Sequence, residues 1–313
     1  MQIRGQPQSK RTDPRTGSQP IGIRAAIASS GSRLRYHGRV KALNQPESWW
    51  GWHGYNHPEA LSITQILQAG TMPPRVAAIL SLAMERGAPM ILAAEPPGAG
   101  KTTLLTALLA FAPPESSVYF TRGWGETFRL PPRAAGDPPT YLLVNEISDH
   151  LPVYSWGPYV QREFELAAEG YCLASTMHAE TVDGVIEQLT DECDVPASNI
   201  GHLALVVPMY VGMNAGRRVR RVSEVAVLEP LGGSYDRHSI ARWVAEAVTY
   251  EVLATPAEVN ALARRLIMED EDLIRALAER EQLFETLLRE GVTSIEDVQE
   301  RVLAAAGYQV PEQ

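Results

Sequence analysis

Cysteine is scarce in this chain: Cys172 and Cys193 are the two among 313 residues. They form neither a disulfide framework nor a metal-ligand spacing, which predicts reduced thiols in a cytosolic protein. Long apolar runs are missing as well. No stretch approaches the roughly 18 residues that a membrane span needs, and the N-terminus lacks the apolar core of a signal peptide. Any membrane association is therefore expected through a partner or a surface patch. Net positive charge is also lacking. The formal charge of -9 argues against a protein that coats nucleic acid, and no specific nucleic-acid partner is expected. No repeat period is visible.

Basic charge is nevertheless concentrated at one end. Residues 1–40 carry Arg4, Lys10, Arg11, Arg15, Arg24, Arg33, Arg35 and Arg39 against one acid, Asp13, whereas the last sixty residues are acidic. Such an arm can touch anionic lipid or nucleic acid; the plainer reading is a solvated, flexible tail. ESWWGWHGYNHPEA then gathers three tryptophans and a tyrosine, as a lid or small core packed on the next domain, or as a stacking surface.

From Leu61 the pattern sharpens. LSITQILQAG and PPRVAAILSLAMERG read as helices ending at Gly70 and Gly87. PMILAAE suits a buried strand, and TTLLTALLAFA is a helix stopped by Pro113 and Pro114. SSVYFT, TYLLVNE and YCLASTMHA read as further strands, with the helices REFELAAEG and VDGVIEQLTDE around the last. LALVVPMYVG and RRVSEVAVLEP bracket AGRR as a hairpin pair. Alternating strands and helices predict an α/β fold with a mostly parallel sheet. Beyond Ser234 the chain reads as a separate helical module: HSIARWVAEAVTYEVL, then TPAEV through LLREG, then SIEDVQERVLAAAGY.

Between strand and helix stands EPPGAGKTT, residues 95–103. This order is the one a phosphate-binding loop requires. Amides at a helix start bind phosphate oxygens, helped by the helix dipole. Gly98 and Gly100 let the backbone approach closely. Lys101 reaches the outer phosphates, and the Thr102 hydroxyl is the type that binds Mg2+. Glu95 occupies the place of the loop's first glycine, where its charge repels a triphosphate unless it points away. Glu146 ends the apolar strand of LLVNE; an acid there contacts Mg2+ through water or orients the attacking water. His178 ends another strand, where it can sense a γ-phosphate by hydrogen bonding. Taken alone, either residue reads as an ordinary strand-end group.

These pieces in this order resemble the secretion and pilus motor ATPase superfamily, whose members drive type II and type IV secretion, type IV pili and the archaeal flagellum. YLLVNEISD is similar to that family's Walker B run, and FELAAEGYCLASTMHAETVDGVIEQL to its His box. The C-terminal run from ALARR to AAAGY looks most like the archaeal-type members. The resemblance covers roughly residues 60 to 310. It implies a RecA-like P-loop NTPase core over 61–234, a helical domain over 235–313, and a short N-terminal segment, 1–60, in place of a full N-terminal domain. It implies ATP and Mg2+ as cofactors. Gly98, Ala99, Gly100, Lys101, Thr102 and Thr103 then bind nucleotide, with Thr102 and (through water) Glu146 on the metal. Glu146 and His178 become catalytic, with Glu126 of GWGETF near the family's acidic box. The implied assembly is a hexameric ring on an inner-membrane platform protein, cytoplasmic and peripheral to the membrane. Departures cluster at the site: Glu95, Asn145 and Ser148 replace usual family residues, and the segment between Glu126 and Glu146 is short. An AAA+ ATPase is a further reading of PPGAGKTT, although such enzymes carry Asp-Glu where this chain has Asn145-Glu146.

Overall fold

The computed structural model describes residues 40–44, 60–134, 136–214, 216–245 and 247–308. The basic arm and the aromatic cluster around Trp49, Trp50, Trp52 and Tyr55 lie outside them. Strand β1 (Lys41–Ala42) pairs in parallel with a later strand at Ser117 and Val118. Helix α1 (Ile63–Gln68) starts at a capping box in which Ser62 and Gln65 exchange side chain-to-backbone bonds. Such reciprocal caps satisfy amides that the first turn leaves without partners. Helix α2 (Pro74–Glu85) opens with proline at its first position, where the missing N–H costs nothing. β2 (Met90–Ala93) leads through the glycine loop into α3 (Lys101–Leu109). Then follow β3 (Ser117–Phe120), β4 (Thr140–Ile147), α4 (Pro158–Ala168), β5 (Cys172–Met177) and α5 (Val182–Glu187). The short α6 (Ala197–Ile200) precedes β6 (Leu205–Asn214), β7 (Arg217–Val222) and β8 (Glu224–Leu231).

The sheet runs β1-β3-β4-β5-β2-β6-β8 and onward through two more strands, with β7 attached to β6. The pairs from β1 to β6 are parallel, while β7 and β8 meet β6 antiparallel. Alternate residues of β2 face opposite cores, as a strand's two-residue period demands. Met90 and Leu92 join the cluster under α2 and α3; Ile91 and Ala93 join the one under α4 and α5. All four are fully buried, which fits a parallel strand covered by helices on both faces. The parallel part of the chain is the α/β P-loop architecture expected, with β5 inserted between the loop strand β2 and the acid-bearing strand β4.

Beyond Ser234 the structure departs from the helical reading. HSIARWVAEAVTYEVL belongs to β9 (Ser234–Val244) and β10 (Thr249–Val252), which extend the sheet antiparallel from β8. The cause is the Gly232-Gly233 pair, both with positive φ, which folds β8 back onto β9 as a tight hairpin. The long helix read from TPAEV is two: α7 (Pro256–Leu266) and α8 (Asp270–Glu290), broken where Ile267 takes a left-handed conformation. Helix α9 (Ile295–Ala305) follows.

These helices share a core with the sheet. Phe284 of α8 meets Phe111 at 5.9 Å between ring centroids. Arg280 reaches Glu85 at 2.5 Å and Ser81 at 3.2 Å on α2, with both charges nearly buried. Breaking one partner of such a pair leaves a buried charge uncompensated, at a cost of roughly 3–5 kcal/mol. No helix among the described residues is long and apolar enough to cross a membrane.

Candidate functional site

Three neighbouring strand ends build the site. β2, β4 and β5 run parallel and finish side by side, at Ala93, Ile147 and Met177. The carboxyl ends of parallel strands are where open α/β sheets bind ligands. After β2 the loop turns through Gly98 and Gly100, at φ +71° and +98°, values that favour glycine. Among the described residues no backbone carbonyl accepts from the amides of residues 98–103; Leu104 is the first to bond, to Gly100 at 2.8 Å. The positive end of α3 therefore offers a run of donors of the kind that can hold an anion.

Lys101 is nearly buried at the first turn of α3. Its Nζ donates to the carbonyl of Ala94 at 2.9 Å and lies 3.8 Å from Glu146 Oε2. Burial lowers its pKa, opposed first by Glu146 and then by Glu95. Glu95 itself is exposed, and its backbone stays out of the left-handed region. A side chain therefore fits at the place of the loop's first glycine without strain, and its charge falls on Lys101.

Glu146 owes its aim to a bulge. Val144 pairs with Ser175 and Ile147 with Met177, so Asn145 and Glu146 together oppose Thr176. An extra residue re-aims the side chains of a strand. Thr176 Oγ1 fills the irregularity, donating to the Asn145 carbonyl at 3.1 Å and standing 3.5 Å from Glu146 Oε2. The returning loop adds a clamp: Ser155 N donates to the Glu146 carbonyl at 3.0 Å. The Ser155 hydroxyl in turn donates to Glu163 of α4 at 2.5 Å. Glu163 is fully buried, its other oxygen has no partner, and desolvation pushes its pKa up to about 8. Burial and then the Glu146 charge raise the Tyr154 phenol nearby.

His178, just past β5, faces Glu146 Oε1 through Nε2 at 3.1 Å and the Glu95 carbonyl through Nδ1 at 3.0 Å. Lys101, Glu146, His178 and the loop are thus one group. Thr102 and Thr103 follow Lys101 on the first turn of α3. No hydrogen bond engages the Thr102 hydroxyl among the described residues, so it is free for a cation. With Glu146 on the opposite lip, the residues present fit a nucleotide-bound Mg2+.

Glu126 is not brought to this group. Its carboxylate accepts from Tyr119 Oη at 2.8 Å, from the amides of Arg122 at 2.9 Å and Thr127 at 2.6 Å, and from the Phe128 amide. A carboxylate so engaged fixes its own turn, and its expected catalytic place is not supported by this geometry. Two residues that sequence reasoning passed over stand at the loop instead. Arg218 Nη2 donates to the Pro97 carbonyl at 2.8 Å, and Arg220 Nε to the Gly98 carbonyl at 3.0 Å. Both project from β7 across the loop. The hairpin reading left Arg218 in the AGRR turn and Arg220 at the start of the next strand, whereas both belong to β7, two residues apart and so on one face.

No protein-family model matches the chain. Two uncharacterised proteins of Methanocaldococcus jannaschii are similar in sequence. One is 23% identical over 255 residues, which is 72% of this chain and 91% of that protein. The other is 27% identical over 194 residues, 54% of this chain and 34% of that protein. Among solved structures, the chain is similar to the VirB11 ATPase from the Brucella suis type IV secretion system, in complex with sulphate. The TM-score is 0.36 at 18% identity, covering 56% of this chain and 58% of that one. It is also similar to the Legionella pneumophila ATPase DotB, with a TM-score of 0.34 at 13% identity, covering 78% and 62%. The chain spans less than two thirds of either solved chain.

Proposed function

We propose that this chain binds ATP with Mg2+ and hydrolyses it as the motor subunit of a type II or type IV secretion or pilus-like machine. The carrying observation is the convergence of Lys101, Glu146 and His178 beside a loop of unpaired amides. The amides of residues 98–103 hold the phosphates, and Lys101 leaves the Ala94 carbonyl for the outer ones. Glu146 orients the attacking water and takes its proton, while His178 lies where a γ-phosphate is sensed. Bound through Thr102 and, by way of water, Glu146, Mg2+ supplies charge neutralisation.

Phosphate release by the full chain at saturating Mg-ATP tests this. Glu146→Gln is expected to lower turnover at least about a hundredfold, the scale of a lost catalytic acid or base, and to keep ATP binding. Lys101→Ala is expected to abolish binding by calorimetry; unchanged affinity there refutes the site. Tight binding without phosphate release, alone or with a membrane partner, sinks hydrolysis. It would leave a non-hydrolysing assembly subunit, a reading favoured by the Glu95 charge beside Lys101. The β6–β7 hairpin that follows the His178 strand and its helices supports a motor ATPase over an AAA+ enzyme. A hexameric ring, a platform-protein partner and a cytoplasmic location belong to the same proposal. Light scattering with and without ATP checks the ring.

A further inference from the structure

Glu146, His150 and His178 each present one ligand atom, and all three atoms lie within 4.8 Å of one another. Glu146 and His178 belong to the phosphate site. His150 does not; it stands in the loop after β4, largely exposed, its ring edge-on to His178 at 5.7 Å.

The bonding of His178 leaves a place for a cation. Its Nδ1 is 3.0 Å from the Glu95 carbonyl, a group that only accepts, so Nδ1 carries the proton. Its other nitrogen, Nε2, faces Glu146 Oε1 at 3.1 Å. A positive charge between them, a second ring proton or a metal ion, joins such a pair. A backbone carbonyl that fixes one ring nitrogen and frees the other is also the usual support of a metal-bound histidine. Two imidazoles and one carboxylate suit zinc and similar divalent ions. Mg2+ prefers oxygen ligands and its own waters.

We propose that a zinc-class divalent ion binds Glu146, His150 and His178, and that it withholds Glu146 from the phosphate site while it is there. With bonds of about 2.0–2.1 Å, a tetrahedral zinc ion holds its ligand atoms roughly 3.4 Å apart. The His178–Glu146 pair is already near that spacing, and rotation of the exposed His150 side chain supplies the remainder. The binding claim stands without the proposed function; the withholding claim rests on it.

The test uses the full chain, stripped with chelator and free of nucleotide, titrated with Co2+ and read by its visible absorption. We expect one saturable site that Zn2+ displaces, weakened at least about tenfold in His150→Ala, a loss of 1.4 kcal/mol or more. His150→Ala is expected to keep its ATP affinity, because that side chain lies outside the phosphate loop. No saturable absorption, or equal affinity in His150→Ala, overturns the site. So does an NMR spectrum in which His178 stays doubly protonated under excess Zn2+, since a proton then fills the gap. Where turnover is measurable, Zn2+ should suppress it in wild type and at least about tenfold less well in His150→Ala. A chain that binds the ion yet never turns over ATP defeats the motor reading and leaves the metal site standing.

Discussion

Replacing Glu163 with glutamine should stabilise the protein, and increasingly so as pH rises. The carboxyl sits fully buried behind Ser155, one oxygen bonded and the other without a partner. Burial is the main cause of its raised pKa; the Ser155 bond opposes it, and the Glu126 charge adds to it. A group whose folded pKa lies above its unfolded value gives its full stability below the unfolded value, here 4.5, and loses it as pH rises through about 8. The folded chain holds a proton across that window which the unfolded chain has released. Each tenfold fall in proton concentration costs about 1.4 kcal/mol, so on the order of 4–5 kcal/mol is lost by the top of the window. Glutamine has nearly the same shape and no charge to lose. Urea unfolding of wild type and Glu163→Gln at matched ionic strength isolates the difference from every other titration. The gap should widen by about 2 kcal/mol between pH 6 and pH 8. A gap that does not change with pH would refute a buried, protonated Glu163.

Three further outcomes are expected. Glu95→Gly should fold normally and bind ATP more tightly by calorimetry, because it removes a negative charge beside the phosphates; weaker binding would mean that the Glu95 side chain assists. Arg218→Ala with Arg220→Ala should loosen the loop and weaken ATP binding about tenfold, or 1.4 kcal/mol, less so in high salt because both guanidiniums are exposed. Affinity equal to wild type at low salt rules out a role at the phosphates. Phe284→Ala should cost about 3–5 kcal/mol in unfolding free energy. A single shared transition should shift; a separate early transition for the last helices would contradict the common core with Phe111.

Much of the site was legible because its parts are local. The strand, glycine loop and helix around Lys101 declare themselves in nine consecutive residues, and the buried strands of Glu146 and His178 read as short apolar runs. What escaped depends on long-range contact. Nothing in GWGETF indicates that Glu126 will be occupied by its own turn and by Tyr119. Nothing in RRVRR shows which two arginines cross to the loop, since that follows from the β6–β7 register. The strands β9 and β10 were missed because a partly exposed edge hairpin carries polar and apolar residues in an order that also suits a helix. The Gly232-Gly233 turn was the local clue. The pairing of His178 with the Glu95 carbonyl is invisible in sequence, being a backbone contact across 83 positions.

The bulge in β4 makes the length of that strand more critical than its composition. With Asn145 present, two residues stand opposite Thr176 and the acid lies 3.8 Å from the Lys101 amine. Deleting Asn145 would let the strand pair without interruption, with every hydrogen bond of the ladder closed, and would turn the acid out of line with the lysine. The most regular version of this strand is therefore the one expected to be inert. A one-residue deletion should erase the site while leaving the β4–β5 pairing intact.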